Sequence, residues 1–304
     1  MSKILISGLL VLALVACNST VTPEAQVTPL TQNNSVKSPE TSAQRVVALS
    51  SIAADIIYQL DQTKLVGMTG SSLLQKDSRF KDIPRVSENQ TPPNLEKILS
   101  LKPDLAIIPE GFFTKEAQRL QELGISVYTY RLNSWQSLEK LTQDLAKHIN
   151  ADPQPLINRY QGFISEIPQQ NVSALALVSS QPILSPNQNS WAGDLLMKLK
   201  VQNITADLQG QSQFRGYITL SPEKVLEANP EVIFLINSPQ QQSATAVLDE
   251  WKKQSFWQKL KATQNNRVYV LDYYGFINAG SIDAIEKSVK NLQQALSGGQ
   301  SESI

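Results

Sequence analysis

One cysteine and one histidine are all that this 304-residue chain has of the two side chains most used in zinc sites and nucleophilic triads. The cysteine, Cys17, lies close to the N terminus, so a disulfide inside the folded part is excluded. The histidine, His148, stands beside Lys147 at the end of a helical pattern and reads as a surface residue complementing a helix C-terminus. A Ser-His-Asp triad would rest on His148 alone. A phosphate-cradling glycine loop, a nucleophile elbow and zinc-ligand spacings are also missing. These absences argue against an enzyme, and neither a cofactor nor a bare metal ion is expected. Charge of one sign is not in excess either. The 27 Lys and Arg balance 27 Asp and Glu without forming a basic stripe, so nucleic acid is not an expected partner.

What is present begins at Ile4–Ala16, a nearly continuous apolar run of about 13 residues behind Lys3, broken only by Ser7 and Gly8. That is short of the roughly 20 residues a transmembrane helix needs, but it suits the apolar region of a signal peptide. It ends in Leu14-Val15-Ala16-Cys17, which resembles the lipobox of bacterial lipoproteins, where the chain is cut before an acylated cysteine. Residues 1–16 are therefore expected to be a lipoprotein signal peptide and Cys17 the lipidation site. Acyl chains hold a protein stably, at about 0.8 kcal/mol per buried methylene. Residues 17–44, rich in Thr, Ser, Gln, Asn and Pro, bury too little to offset ordering entropy and are expected to be a disordered tether to the membrane.

The body contains one phrase twice. Asn94-Leu-Glu-Lys-Ile-Leu-Ser-Leu-Lys-Pro-Asp-Leu-Ala-Ile-Ile aligns without a gap on Ser221-Pro-Glu-Lys-Val-Leu-Glu-Ala-Asn-Pro-Glu-Val-Ile-Phe-Leu. Asn94 and Ser221 are good N-caps, and Pro222 suits the first helical position. Glu96 and Glu223 fall in the first turn, where a carboxylate favours the helix dipole. Pro103 and Pro230 stop each helix, and a short apolar run follows, the mark of a strand buried on both faces. Further strands are expected at 46–49, 65–68, 126–130, 174–178 and 268–271, with helices at 134–149, 191–199 and 281–296. The expected fold is α/β: two Rossmann-like lobes with mostly parallel sheets, over 45–150 and 171–298, joined by one long helix over 151–170, with a tail at 299–304. The helical spacing of Leu156, Ile157, Tyr160, Phe163, Ile164 and Ile167 carries the connecting helix. Sites in such sheets lie beyond the carboxyl ends of the strands.

Six phrases in order resemble the iron-siderophore and vitamin B12 class of periplasmic binding proteins across residues 45–297. They are Arg45-Val-Val-Ala-Leu-Ser-Ser, Leu65-Val-Gly-Met-Thr, Pro93-Asn-Leu-Glu-Lys-Ile-Leu, Trp191-Ala-Gly-Asp-Leu-Leu with Asn203-Ile, Ser221-Pro-Glu-Lys-Val-Leu and Arg267-Val-Tyr-Val-Leu. The resemblance implies that the connecting helix is rigid, that a ligand sits in the cleft between the lobes, and that an ABC permease and ATPase are partners. It also implies that Glu96 and Glu223 dock on the permease.

Loops at strand ends offer ligand contacts from Ser50, Ser51, Ser71 and Arg131 in the first lobe. The second lobe offers Trp191, Phe214, Arg215, Tyr217, Tyr273 and Tyr274. Aromatic faces supply contact area, and arginine pairs with carboxylate or catecholate oxygens. Arg131 and Arg215 tip the expected ligand towards an anionic iron(III)-siderophore chelate. Cobalamin or heme in the same class, and a surface lipoprotein using the fold only as a scaffold, are the alternatives. The two tyrosines 273 and 274 leave tyrosine-ligated ferric iron as a lesser option. The protein is expected to be monomeric, extracytoplasmic and held to the membrane through Cys17.

Overall fold

The computed structural model describes residues 42–88, 91–165, 172–209, 212–239 and 243–298. The expected signal peptide, Cys17, most of the tether and the 299–304 tail lie outside them. In the first half the chain forms β1 (Val46–Ala48), α1 (Ser51–Asp61), β2 (Leu65–Met68), α2 (Ser72–Gln75), α3 (Leu95–Ser100), β3 (Leu105–Pro109), α4 (Thr114–Glu122), β4 (Ser126–Tyr130) and α5 (Trp135–Ile149). Then α6 (Gln154–Phe163) leads to β5 (Ser173–Leu177), β6 (Ser179–Ser180), β7 (Ile183–Pro186), α7 (Trp191–Lys198), β8 (Gln202–Asn203) and β9 (Tyr217–Leu220). The chain closes with α8 (Pro222–Ala228), β10 (Val232–Asn237), α9 (Ala244–Lys252), α10 (Lys261–Gln264), β11 (Val268–Asp272), α11 (Tyr273–Phe276) and α12 (Ile282–Leu296).

Two four-stranded parallel sheets result, ordered β2-β1-β3-β4 and β11-β10-β5-β8. Taken from its other edge, the second order is β8-β5-β10-β11, the same winding as the first. In each sheet the direction of winding reverses between the first and third strands, β1 and β3 in one lobe and β5 and β10 in the other. The duplicated phrase occupies equivalent places, α3 leading into β3 and α8 into β10. Asn94 caps α3 by accepting the Lys97 N–H at 2.9 Å, and Ser221 caps α8 by accepting the Lys224 N–H at 3.3 Å. The helices end short of the prolines. Lys102 and Asn229, one residue before Pro103 and Pro230, both take left-handed backbone (φ 49° and 38°), so the turn is completed before proline is reached.

The strands after those prolines are buried along almost their full length, as the apolar runs require. Val47, Ile98, Ala106, Ile108 and Leu120 pack one outer face of the first sheet, and Leu175, Val225, Ile233, Trp251 and Trp257 one outer face of the second. Between the sheets a single cluster runs without a break from Val46 and Ile107 through Trp135, Leu145 and Tyr160 to Ala176, Phe234 and Leu292. The lobes therefore share apolar core as well as chain.

The connecting helix is shorter than the spacing predicted. It begins at Gln154, whose N–H is accepted by Asp152 Oδ1 at 2.9 Å, and ends at Phe163, with the last described residues, Ile164 and Ser165, in a turn. Of the 151–170 expectation, residues 151–153 precede the helix and 166–170 lie outside the described residues. A third, antiparallel sheet, β6-β7-β9, has no counterpart in the sequence reading. Its strands have two to four residues, too few for alternation to register.

Candidate functional site

In both lobes the strands of the parallel sheet end on the side where the expected site residues cluster. On the first lobe, Ser50 caps α1, accepting the Ala53 N–H at 3.2 Å, and its hydroxyl lies 2.6 Å from the Tyr130 phenol. That bond joins the ends of β1 and β4 across β3, where the winding reverses. Ser51 opens α1, half-buried, and Ser71 caps α2 through the Leu74 N–H at 3.4 Å. Burial pushes the Tyr130 phenol well above the usual range, so it stays neutral and can donate. Beyond β3 and β4, Arg131 donates to Glu110 at 2.7 Å. Arg131 was expected to meet an anionic ligand, but the structure supplies that anion from the neighbouring strand end. Between them Gly111 (φ 84°) and Phe113 (φ 50°) hold Phe112 outward, 62% exposed.

On the second lobe, Leu184 pairs with Thr219 and Pro186 with Tyr217 across the β7–β9 ladder. Alternate residues share a face, so Pro182, Leu184, Thr219 and Tyr217 lie along one side, with Ile183 and Ile218 buried on the other. A groove of about 580 Å³ opens on that side, lined by Pro182, Leu184, Ser212, Gln213, Phe214 and Thr219. Phe214 is 59% exposed at its edge. Tyr217 begins β9 instead of standing in a loop, and its phenol is pushed up by burial and by the neighbouring Tyr273. Tyr273 meets Tyr274 edge-on, ring centroids 5.4 Å apart, and burial raises the Tyr273 phenol as well. Tyr274 reaches the other lobe: its hydroxyl is 3.5 Å from Ser72 Oγ. The face thus runs from an apolar groove through three tyrosines to the first lobe. Arg215 is exposed and has no ion-pair partner among the described residues.

Trp191 corrects the sequence reading. It is 4% exposed, stacks on Trp135 at 6.2 Å and 10°, and donates its indole N–H to the Gly275 carbonyl at 3.0 Å. A large aromatic at a helix start looks the same in sequence whether it meets ligand or the other lobe. Phe276, next to the tyrosine pair, is likewise fully buried against Phe234. One pairing at these strand ends depends on strand order. Glu110 and Arg131 become neighbours only through the β3–β4 register, Pro109 opposite Tyr130. Asn237, which the duplicated phrase aligns with Glu110, carries a buried Oδ1 without a hydrogen-bond partner among the described residues. Glu96 and Glu223 lie exposed in the first turns of α3 and α8, and the Ser221 hydroxyl and local backbone hold the Glu223 carboxyl below its usual range. His148 is half-buried, edge-on to Tyr128 at 4.9 Å. Among the described residues, no group of three or more His, Cys, Asp and Glu is arranged to hold a metal, and no helix is long and apolar enough to cross a membrane.

A family model described as periplasmic binding protein matches residues 46–274. The chain belongs to this family. This periplasmic binding protein is 27% identical over 301 residues to the vitamin B12-binding protein of Vibrio cholerae, covering 94% of this chain and 99% of that one. It is 23% identical over 231 residues to the high-affinity heme uptake system protein IsdE of Staphylococcus aureus, covering 71% and 75%. Its fold matches that of an ABC transporter substrate-binding protein from Listeria monocytogenes, with a TM-score of 0.70 at 20% identity over 85% of this chain and all of that one. As a member of the family it is an extracytoplasmic substrate-binding protein of the ABC-importer type and not an enzyme.

Proposed function

We propose that this periplasmic binding protein captures a metal tetrapyrrole between its lobes, cobalamin ahead of heme, and presents it to a membrane permease driven by an ATPase. The observation that carries the reading is the second-lobe face, where Tyr217 shares a side of β9 with the groove residue Thr219, neighbours Tyr273 and through it meets Tyr274. Such a surface offers apolar area with phenols at its end, suited to a large ring bearing polar side groups. The Arg131–Glu110 pair supports it, since the arginine's charge is already compensated without ligand. The similarity to a vitamin B12-binding protein along nearly the whole chain supports it as well. An iron(III)-siderophore chelate is the second reading, favoured by the exposed Arg215, which has no ion-pair partner among the described residues.

Titrating the purified protein with cyanocobalamin, hemin, and ferric hydroxamate, catecholate and citrate complexes tests the choice. Cyanocobalamin should bind with Kd of about 1 μM or tighter, a free energy near −8 kcal/mol, and the ferric chelates far more weakly. A chelate that binds tightest, and loses that affinity in Arg215→Ala, contradicts the tetrapyrrole reading in favour of the second. The proposal includes a lipid anchor at Cys17, supported by the residues before it. Mass spectrometry of the mature N terminus should find an acylated cysteine, and an unmodified Cys17 or a cut elsewhere contradicts the anchor.

A further inference from the structure

A helix N terminus leaves its first N–H groups without partners inside the helix, and an N-cap side chain reaches only the second or third of them. The last helix of each lobe has this problem in the same form. α5 and α12 both have 15 residues and begin after a serine N-cap of nearly the same conformation, Ser134 at φ −154°, ψ 163° and Ser281 at φ −149°, ψ 166°. Ser134 accepts the Ser137 N–H at 3.1 Å, and Ser281 the Ala284 N–H at 3.2 Å. The first helical N–H groups, on Trp135 and Ile282, are left over, and both residues are fully buried.

Each is satisfied from the opposite lobe. Asp194, in the first turn of α7, accepts the Trp135 N–H at 2.6 Å. Asp55, in α1, accepts the Ile282 N–H at 2.7 Å. α1 follows the first strand of the first lobe, and α7 is the first helix of the second. A carboxylate from the first helix of each lobe therefore caps the last helix of the other, the reciprocal pattern of a two-fold interface. Both carboxylates face the positive end of a long helix dipole. Each seam is reinforced locally: Trp135 stacks on Trp191 beside Asp194, while Asp55 also meets Gln59 at 3.0 Å and Arg79 at 3.6 Å. Arg79 in turn bonds Asp283 at 2.7 Å, a further ion pair between the lobes, and Arg159 on the connecting helix bonds Asp283 and Glu286 at 2.6 Å each.

We infer that Asp55 and Asp194 are swapped caps that couple the lobes and act as positioning residues, fixing how the two ligand-facing surfaces oppose each other. The coupling does not depend on which ligand is bound. Neither residue lines the candidate site, so their action on binding runs through the lobe geometry they hold. If the competent geometry becomes a minor population when a cap is removed, apparent affinity falls by that fraction.

Amide hydrogen exchange and near-ultraviolet circular dichroism of the ligand-free full chain test this. Asp194→Ala should speed exchange of Trp135 by roughly tenfold or more, and also that of Ile282 in the opposite seam. The dichroism of the stacked Trp135–Trp191 pair should weaken, while Ala106 in β3 and Leu235 in β10 keep their protection. Asp194→Asn, which retains an acceptor, should restore most of both signals. Asp55→Asn, chosen because Asp55→Ala leaves a buried gap and can fail to fold, should disturb Trp135 less than Asp194→Ala does. Faster exchange at Trp135 alone, with Ile282 and the dichroism unchanged, overturns the coupling. A uniform loss of protection that includes Ala106 and Leu235 overturns it too, since the aspartates would then support only global stability.

Discussion

Replacing Glu96 and Glu223 together with alanine should reduce ligand uptake by intact cells on the order of a hundredfold, the scale seen when charges that become desolvated at an interface are removed. Ligand affinity of the purified protein should not change. The reasoning starts from position. The duplicated phrase places one carboxylate in the first turn of α3 and one in the first turn of α8, each exposed and each in the equivalent helix of its lobe. Neither belongs to the tyrosine face. The Asn94 cap of α3 is untouched by the change, and Ser221 loses its contact with the Glu223 carboxyl but keeps the Lys224 N–H. Helix complementation alone would make such substitutions nearly silent, because that effect fades within a turn and is screened by salt. If both carboxylates dock on the proposed permease, the loss is severe, with each single variant intermediate. Uptake at the normal rate in the double variant, with the protein present in normal amount, contradicts docking through these residues.

Gly275→Ala should cost the folded protein about 2–5 kcal/mol, roughly 1–3 for forced overpacking of a buried site together with roughly 1–2 for the left-handed backbone. A Cβ at Gly275 would lie 2.0 Å from the Ala284 carbonyl oxygen and 2.8 Å from the Ser288 Cβ, and the residue has φ 93°. Neither obstacle is a flexible chain end, so α11 and α12 must separate. The carbonyl of Gly275 also accepts the Trp191 indole N–H, and the residue follows Tyr273 and Tyr274 directly. The melting temperature should fall on the order of 10 °C, at about 2–4 °C per kcal/mol for a body of this size, and ligand affinity should fall with it. Gly111→Ala is the control: its φ is 84°, but an added Cβ meets nothing within 4 Å. It should show only the left-handed strain, about 1–2 kcal/mol. Equal losses from the two substitutions contradict the packing argument.

The parts of this fold legible in the sequence are those set by local chemistry. Ser134, Ser281, Asn94 and Ser221 announce helix starts by the side chains they carry, and all four accept the N–H that an N-cap should. The apolar runs after Pro103 and Pro230 mark central strands because both their faces are covered by helices. The antiparallel sheet escaped because two residues such as Ser179–Ser180 show no period. The candidate site was legible as a set of strand ends and not as a set of contacts. Trp191, Tyr217 and Tyr273 carry the same kind of aromatic signal, yet Trp191 is packed against the other lobe while the two tyrosines are neighbours, with Tyr217 on the same side of β9 as Thr219. Arg131 read as a free cation because Glu110, 21 residues earlier, becomes its neighbour only through parallel pairing. The carboxylates Asp55 and Asp194 are ordinary helix residues in sequence, and their partners lie 227 and 59 positions away.

A crystal structure of the full protein grown with cyanocobalamin is the most direct test of the central claim, that a large ring is held between the two lobes against the tyrosine face. The account predicts the corrin bordered by Tyr217, Tyr273 and Tyr274 on one side and by the Ser50–Tyr130 strand ends on the other. A corrin bound elsewhere, for instance in the groove between α6 and α12 beside Phe163 and Lys290, with the tyrosine face untouched, would contradict it.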